Sequence, residues 1–297
     1  MRITNNIVLR NSLAGLQRNS SEIQRLQTQL SSGIKVQTSS DDPTAASQIM
    51  ASSSSLTALD QYKRNIDSAT SRSAAEETAL DQVNDILARA KELTLSQASD
   101  TATPATRLVA AKEMEQLFKQ VVSIGSTRFG DAYLFGGDKA TTSPFTVTGT
   151  GAGLDFTSSN PTGTQTVQTG AGQSMIATHD GKEAFLDSGI LTALRDATKA
   201  MAAGDQATTV GSLTGLDSAF DNVQLLLGDS GARTNGLQVA AQNLSALKVN
   251  LTTYRSGLQD IDIESAVTQL VQKQTAYQAA MMATSKVLSM SLTDYLR

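Results

Sequence analysis

The sequence predicts a mainly α protein with a β-rich insert. Both chain ends form an antiparallel, coiled-coil-like rod of long helices, and a small β domain sits in the middle. Three observations predict this. Apolar residues recur every seventh position in both flanks, the beat of helices that pack along one another. The four prolines, Pro43, Pro104, Pro144 and Pro161, all precede the C-terminal third, which is left free for long helices. Five of the seven Phe residues lie between Phe129 and Phe185, among Gly/Thr clusters such as Thr148-Gly149-Thr150-Gly151. Short aromatic or β-branched runs bounded by turn residues read as strands.

Each helix can be justified in order. Leu9, Leu16, Ile23 and Leu30 fill one seam position of the first, and Leu13 shares the other with Ser20 and Gln27. A stripe that is half polar is marginal alone and needs a partner. Asp42-Pro43 starts a second helix: Asp42 as N-cap accepts bonds from free backbone N–H groups, and Pro at N1 has no N–H to leave unpaired. Leu59, Ile66, Ser73, Leu80 and Leu87 follow at sevens, with Tyr62, Ala69, Glu76, Val83 and Ala90 three residues on. Thr103-Pro104 repeats the start signal, with Thr103 as cap. Leu108, Ala111, Phe118 and Val122 then form one seam, and Met114, Leu117, Val121 and Ile124 another.

The longest repeat is late: Leu216, Val223, Ser230, Leu237, Leu244, Leu251 and Leu258. It keeps phase through Gly228-Asp229-Ser230-Gly231, which predicts one continuous helix despite about 1 kcal/mol for each interior Gly. The last helix follows Asp260-Ile261-Asp262-Ile263-Glu264, whose acids suit a helix N-terminus. Its stripe is Val267, Leu270, Tyr277, Met281 and Leu288.

Composition narrows the function classes. The 297 residues include no Cys, no Trp and one His, so disulfides, thiol nucleophiles and a multi-His metal site within the chain are excluded. A net charge of -4 argues against binding nucleic acid through a basic face. Aromatics at 4% suit thin helical packing better than a thick globular core. No signal-peptide core and no membrane-spanning run is visible, so composition alone predicts a soluble cytoplasmic chain.

Motifs that suggest chemistry have simpler explanations. Gly228-Asp229-Ser230-Gly231 carries the letters of a serine-nucleophile loop, but inside a heptad run, far in sequence from His179. His179-Asp180-Gly181 reads as a surface histidine in a turn. Of Asp41-Asp42, Asp42 is explained by capping. Gly149-Thr150-Gly151 lacks the helix and Lys of a phosphate loop. Met281-Met282 reads as packing. The expectation is no catalytic, metal or cofactor site, no cofactor, and no enzyme. Two marginal helices at opposite chain ends instead suggest a self-assembling structural protein.

Leu30-Ser31-Ser32-Gly33-Ile34-Lys35-Val36, followed by Ser40-Asp41-Asp42-Pro43-Thr44-Ala45-Ala46, resembles the N-terminal signature of the bacterial flagellin superfamily. Gly231-Ala232-Arg233-Thr234-Asn235-Gly236-Leu237 is similar to its segment on the long C-terminal helix, with Gly236 where Arg is usual. Ile261-Asp262-Ile263-Glu264 through Leu292-Thr293-Asp294-Tyr295-Leu296 is similar to its C-terminal assembly helix. Pro43 after the Asp pair resembles the hook–filament junction branch of the superfamily more than flagellins. So do Gly130-Asp131-Ala132-Tyr133-Leu134-Phe135-Gly136-Gly137 with Ser143-Pro144-Phe145, and the ending Ser291-Leu292-Thr293-Asp294-Tyr295-Leu296.

The resemblance implies a flagellar structural protein exported without a cleaved signal, which replaces the cytoplasmic expectation. It implies self-association in a layer between hook-associated protein 1 and flagellin, an export chaperone, no nucleic acid and no membrane insertion. On this reading the chain divides into an N-terminal assembly helix (1–40), the N-terminal half of a rod (41–134), a β-rich outer domain (135–186), the C-terminal half of the rod (187–260) and a C-terminal assembly helix (261–297). The expected assembly set is Leu9, Leu13, Leu16, Ile23 and Leu30 with Val267, Leu270, Tyr277, Met281 and Leu288. A flagellin-like filament subunit is the first alternative, and a coiled-coil signalling or binding rod the weaker one.

Overall fold

A computed structural model describes residues 2–295, with side chains at position 7 and from 10 to 286. The helices are α1 (Arg2–Ser32), α2 (Pro43–Ala98), α3 (Pro104–Gly125), α4 (Ile190–Ala203), α5 (Gln206–Gln259) and α6 (Ile263–Tyr295). Six short strands lie between α3 and α4: β1 (Arg128–Phe129), β2 (Ala132–Tyr133), β3 (Phe145–Thr148), β4 (Asp155–Ser158), β5 (Gln165–Gly170) and β6 (Gln173–Thr178). A π-helical turn, Lys182–Asp187, follows them. The chain divides into two compact units: a terminal unit of Met1–Ala58 with Leu247–Arg297, and a central unit of Leu59–Ala246.

The terminal unit is built by joining α1 to α6. Gly33, at φ +72°, stops α1 in a left-handed turn that Gly adopts at little cost. The chain after it pairs with the α5–α6 turn. Lys35 N–H donates to the Gln259 carbonyl at 2.7 Å, and Ile261 N–H donates to the Gly33 carbonyl at 3.0 Å. Val36 then packs with Ala45, Ala46 and Ile49 in a small cluster. Asp41 accepts from the Gln37 and Thr38 backbone N–H groups at 3.1 and 2.9 Å, which holds its carboxyl below the usual range. Asp42 accepts from Thr44 and Ala45 N–H at 3.0 and 2.9 Å, capping α2. Both carboxylates of the pair therefore organise one turn. The flagellin-like signature at 30–46 is the sequence of this helix stop, buried clasp and helix start.

In the central unit α2 and α5 run antiparallel. Ser73 meets Thr234 at 2.9 Å, Gln224 donates to Asn84 at 2.7 Å, and Lys91 pairs with Asp217 at 2.6 Å. The seam they share is the heptad pattern: Ile66, Leu80, Val83, Leu87, Leu216, Val223 and Leu237 are at most 1% exposed. Through Gly228 and Gly231 α5 continues unbroken. Thr103 caps α3 in a box with Thr106: Thr106 N–H donates to Thr103 Oγ1 at 3.2 Å, and Thr103 N–H to Thr106 Oγ1 at 2.9 Å. Met114, Phe118 and Val121 on α3 are completely buried. Leu108, expected in that seam, is 51% exposed; Arg107 turns inward instead and donates to the carbonyls of Gln97 and Gly204.

The β-rich middle is three separate antiparallel hairpins, β1–β2, β3–β4 and β5–β6, and not one sheet. Two-stranded ribbons are marginal in water, so side chains on the helices hold them. Phe135 and Phe145 contact Phe185 with centroids 4.9 and 5.4 Å apart, and all three rings are buried. The same core reaches α3, α4 and the α2–α5 seam. Residues 190–203, read from sequence as the start of the long rod, form the separate helix α4. Gly204 at φ +73° breaks the chain there, and Asp205 accepts from Ala207 and Thr208 N–H to begin α5.

Candidate functional site

Two places carry groups that the packing alone does not explain: the surface of the α1–α6 pair and a buried charged cluster in the central unit. In the terminal unit α1 lies against α6, with Glu22 paired to Lys273; that hydrogen bond and charge hold the Glu22 carboxyl below its usual range. The proposed assembly set divides here. Leu16 is buried, and Ile23, Leu30, Leu270 and Tyr277 are half-buried. Leu13, Val267 and Met281 are exposed at 49%, 45% and 49%. Leu9 and Leu288 lie outside the described side chains. Sequence periodicity missed Leu26 and Ala266, which are buried, and Ile7, Ile263, Val271 and Met282, which are exposed. Apolar side chains thus face both ways on these helices, one set inward within the subunit and one set outward.

The second place overturns the expectation of a surface histidine. His179, just past β6, is 2% exposed. Strand β6 runs it between the long helices, where Glu76 on α2 is fully buried. Glu76 Oε1 accepts from His179 N–H at 3.1 Å and lies 2.5 Å from Nδ1. On the other side Nε2 lies 3.0 Å from Asp229 Oδ2 on α5, which also pairs with Arg233 Nε at 2.6 Å. Arg72, one turn before Glu76, donates to the carbonyls of Tyr133 and Leu134. The cluster borders a cleft of about 320 Å³ lined by Glu183, Asp187, Ser188, Asn222 and Leu225. The sequence signal for it was Glu76, a carboxylate in an apolar seam, where a buried charge needs a partner.

Chemically the cluster binds one part of the chain to another. Ser230 Oγ is buried with no hydrogen-bond partner, and both ring nitrogens of His179 face carboxylates, so Ser230 has no base to activate it. Among the described residues no group of three or more His, Asp or Glu side chains is arranged to hold a metal ion. Among those residues, too, no helix is long and apolar enough to cross a membrane.

The terminal unit thus pairs α1 with α6, and the central unit pairs α2 with α5 around three hairpins. The family model of the bacterial flagellin N-terminal helical region matches residues 3–140, and that of the C-terminal helical region matches residues 213–296. The chain belongs to the flagellin superfamily, and within it is similar to flagellar hook-associated protein 3. The Escherichia coli protein of that name is 25% identical over 98% of both chains, and the Salmonella typhimurium protein likewise. The fold is shared with a flagellar hook-associated protein from Vibrio parahaemolyticus, with a TM-score of 0.66 at 21% identity over 74% of this chain and 100% of that one. Bacillus cereus FlgL has a TM-score of 0.57 at 24% identity over 69% of this chain and 99% of its own.

Proposed function

We propose that this chain is a structural component of the bacterial flagellum that forms the layer joining hook to filament. The observation that supports this reading is the similarity to flagellar hook-associated protein 3 along 98% of both lengths in two bacteria. The proposed mechanism is packing, not catalysis. Residues 1–40 and 261–297 associate with neighbouring subunits, self-associate in a layer, and meet hook-associated protein 1 on one side and flagellin on the other. The outward apolar residues Leu13, Val267 and Met281, with Leu9 and Leu288, are the proposed contacts, and the β-rich middle faces outward. The chain leaves the cell through the flagellar export apparatus, with a chaperone holding its C-terminal region.

Disruption of the gene tests this. Hooks should remain while unpolymerised flagellin leaks into the medium, and full filaments on the mutant would overturn the proposal. A filament-subunit role is the second reading, favoured by a Halalkalibacterium halodurans flagellin that is 23% identical over 100% of both chains. Long filaments formed by the purified protein alone would decide for it.

A further inference from the structure

We propose that His179 is a proton-operated latch: as an imidazolium it clamps the β-rich middle to α2 and α5 at once, and loss of one proton releases it. The argument starts from hydrogen-bond capacity. An ionised carboxylate can only accept, and a neutral imidazole has one N–H. Here Nδ1 faces Glu76 and Nε2 faces Asp229, so with both carboxylates ionised the two bonds exist together only when both nitrogens carry protons. The charges around the ring agree. Arg72 and Glu76 stand on α2, Asp229 and Arg233 on α5, and Glu183 on the π-helical turn. Of the other nearby groups, Asp187 is paired with Lys182 at 2.5 Å, and Asp180 accepts from the Gly163 and Glu183 N–H groups. With His179 charged, the groups named are four cations (Arg72, His179, Lys182 and Arg233) against five anions (Glu76, Asp180, Glu183, Asp187 and Asp229); with it neutral, Glu76 stays buried beside a ring that can satisfy only one carboxylate.

Position makes this a latch. His179 directly follows β6, and its neighbours on either side, Thr178 and Asp180, join the last hairpin to the turn that carries Phe185. Its backbone and ring together grip Glu76, while the ring's far edge grips Asp229. The hairpin is also seated by the buried Thr169, Ala177 and Thr178, by Asn65, which donates to the Gln168 carbonyl at 3.4 Å, and by Met175 over Gly236 on α5. A Cβ at 236 would stand 2.7 Å from the Met175 methyl, so the methionine tip lies directly over the glycine.

Burial alone would lower the His179 value. The hydrogen bond and charge of Glu76, helped by Glu183 and opposed by Arg233, raise it above the ordinary 6.5. The clamp is therefore fully present below 6.5 and is lost as pH rises through the higher folded value. His179 is the sole histidine in the chain, so its imidazole signals can be read directly by nitrogen-15 NMR on the full-length protein. The expected spectrum at pH 7 is an imidazolium with both nitrogens protonated, titrating above 6.5. Asp229→Asn should bring that titration to lower pH, and with it the alkaline fall in the thermal midpoint of the central unit. His179→Gln should remove the His-linked part of that fall. A neutral ring at pH 7, or an Asp229→Asn variant whose ring titrates where the wild type does, would overturn the latch. The Asp229→Asn arm decides the matter even where His179→Gln fails to fold.

Discussion

Gly137 and Gly151 both adopt φ +57°, yet their surroundings differ. A Cβ on Gly137 would lie 2.3 Å from the Thr162 carbonyl oxygen, whereas one on Gly151 would meet nothing within 4 Å. Left-handed backbone costs an ordinary residue about 1–2 kcal/mol by itself. Gly151→Ala should therefore lose about that much stability, and Gly137→Ala clearly more, because backbone must move. Urea midpoints at constant slope will separate the two; equal losses would mean that the chain at 161–162 yields freely. Neither position could be ranked from the letters alone, since both are Gly in a Gly-rich stretch. Glu76 is the opposite case. In the letters it is only one position of an apolar heptad; its partner is 103 residues away in sequence, and only the path of β6 brings His179 to it.

At the scale of elements, periodicity was a reliable guide along the seam that α2 and α5 share in the central unit, less so on α1 and α6. Leu59, Ile66, Ser73, Leu80 and Leu87 all bury, as do Leu216, Val223, Ser230, Leu237 and Leu244. The start signals at Asp42-Pro43 and Thr103-Pro104 fall where α2 and α3 begin. Thr103→Ala should cost about 1 kcal/mol through the lost cap, read from thermal or urea unfolding. The heptad says nothing about whether a polar seam residue is satisfied. Ser73 shares its hydroxyl with Thr234, while Ser230 Oγ has no partner. An unpaired buried hydroxyl costs about 1–3 kcal/mol. Ser230→Ala should thus leave α5 equally stable or up to about 1 kcal/mol better, whereas Ser73→Ala should weaken the seam. A large loss at Ser230 would show that its hydroxyl is bonded in solution. Less legible were the three hairpins and α4. Both depend on contacts across the core: Phe135, Phe145 and Phe185 gather from three segments, and Gly204 ends a helix that the apolar pattern would have let run on.

At the scale of the molecule, the two compact units were hidden in the sequence because the same heptads run through their boundaries. Helices α2 and α5 pass from one unit to the other without a break in secondary structure at 58–59 or 246–247. The division follows where burial concentrates, and that makes a last prediction. Every buried residue of the large core lies between Ala79 and Val223, and it joins α2, α3, α4, α5 and the hairpins within the central unit. Among the described residues, none of that core comes from α1 or α6. A fragment of residues 59–246 should therefore fold alone as a helical monomer with one cooperative transition, because its buried residues form one continuous core. Within it Leu87→Ala, which empties a fully buried position, should cost about 2–5 kcal/mol. Full-length protein lacking 264–297 should retain the same transition, and cells carrying it should not swim. A fragment that melts without cooperativity would mean that the terminal helices stabilise the centre, and loss of swimming by the truncation would then report misfolding. A cooperative fragment together with non-motile truncated cells places the role of α6 outside the central core, in the terminal unit, export or assembly.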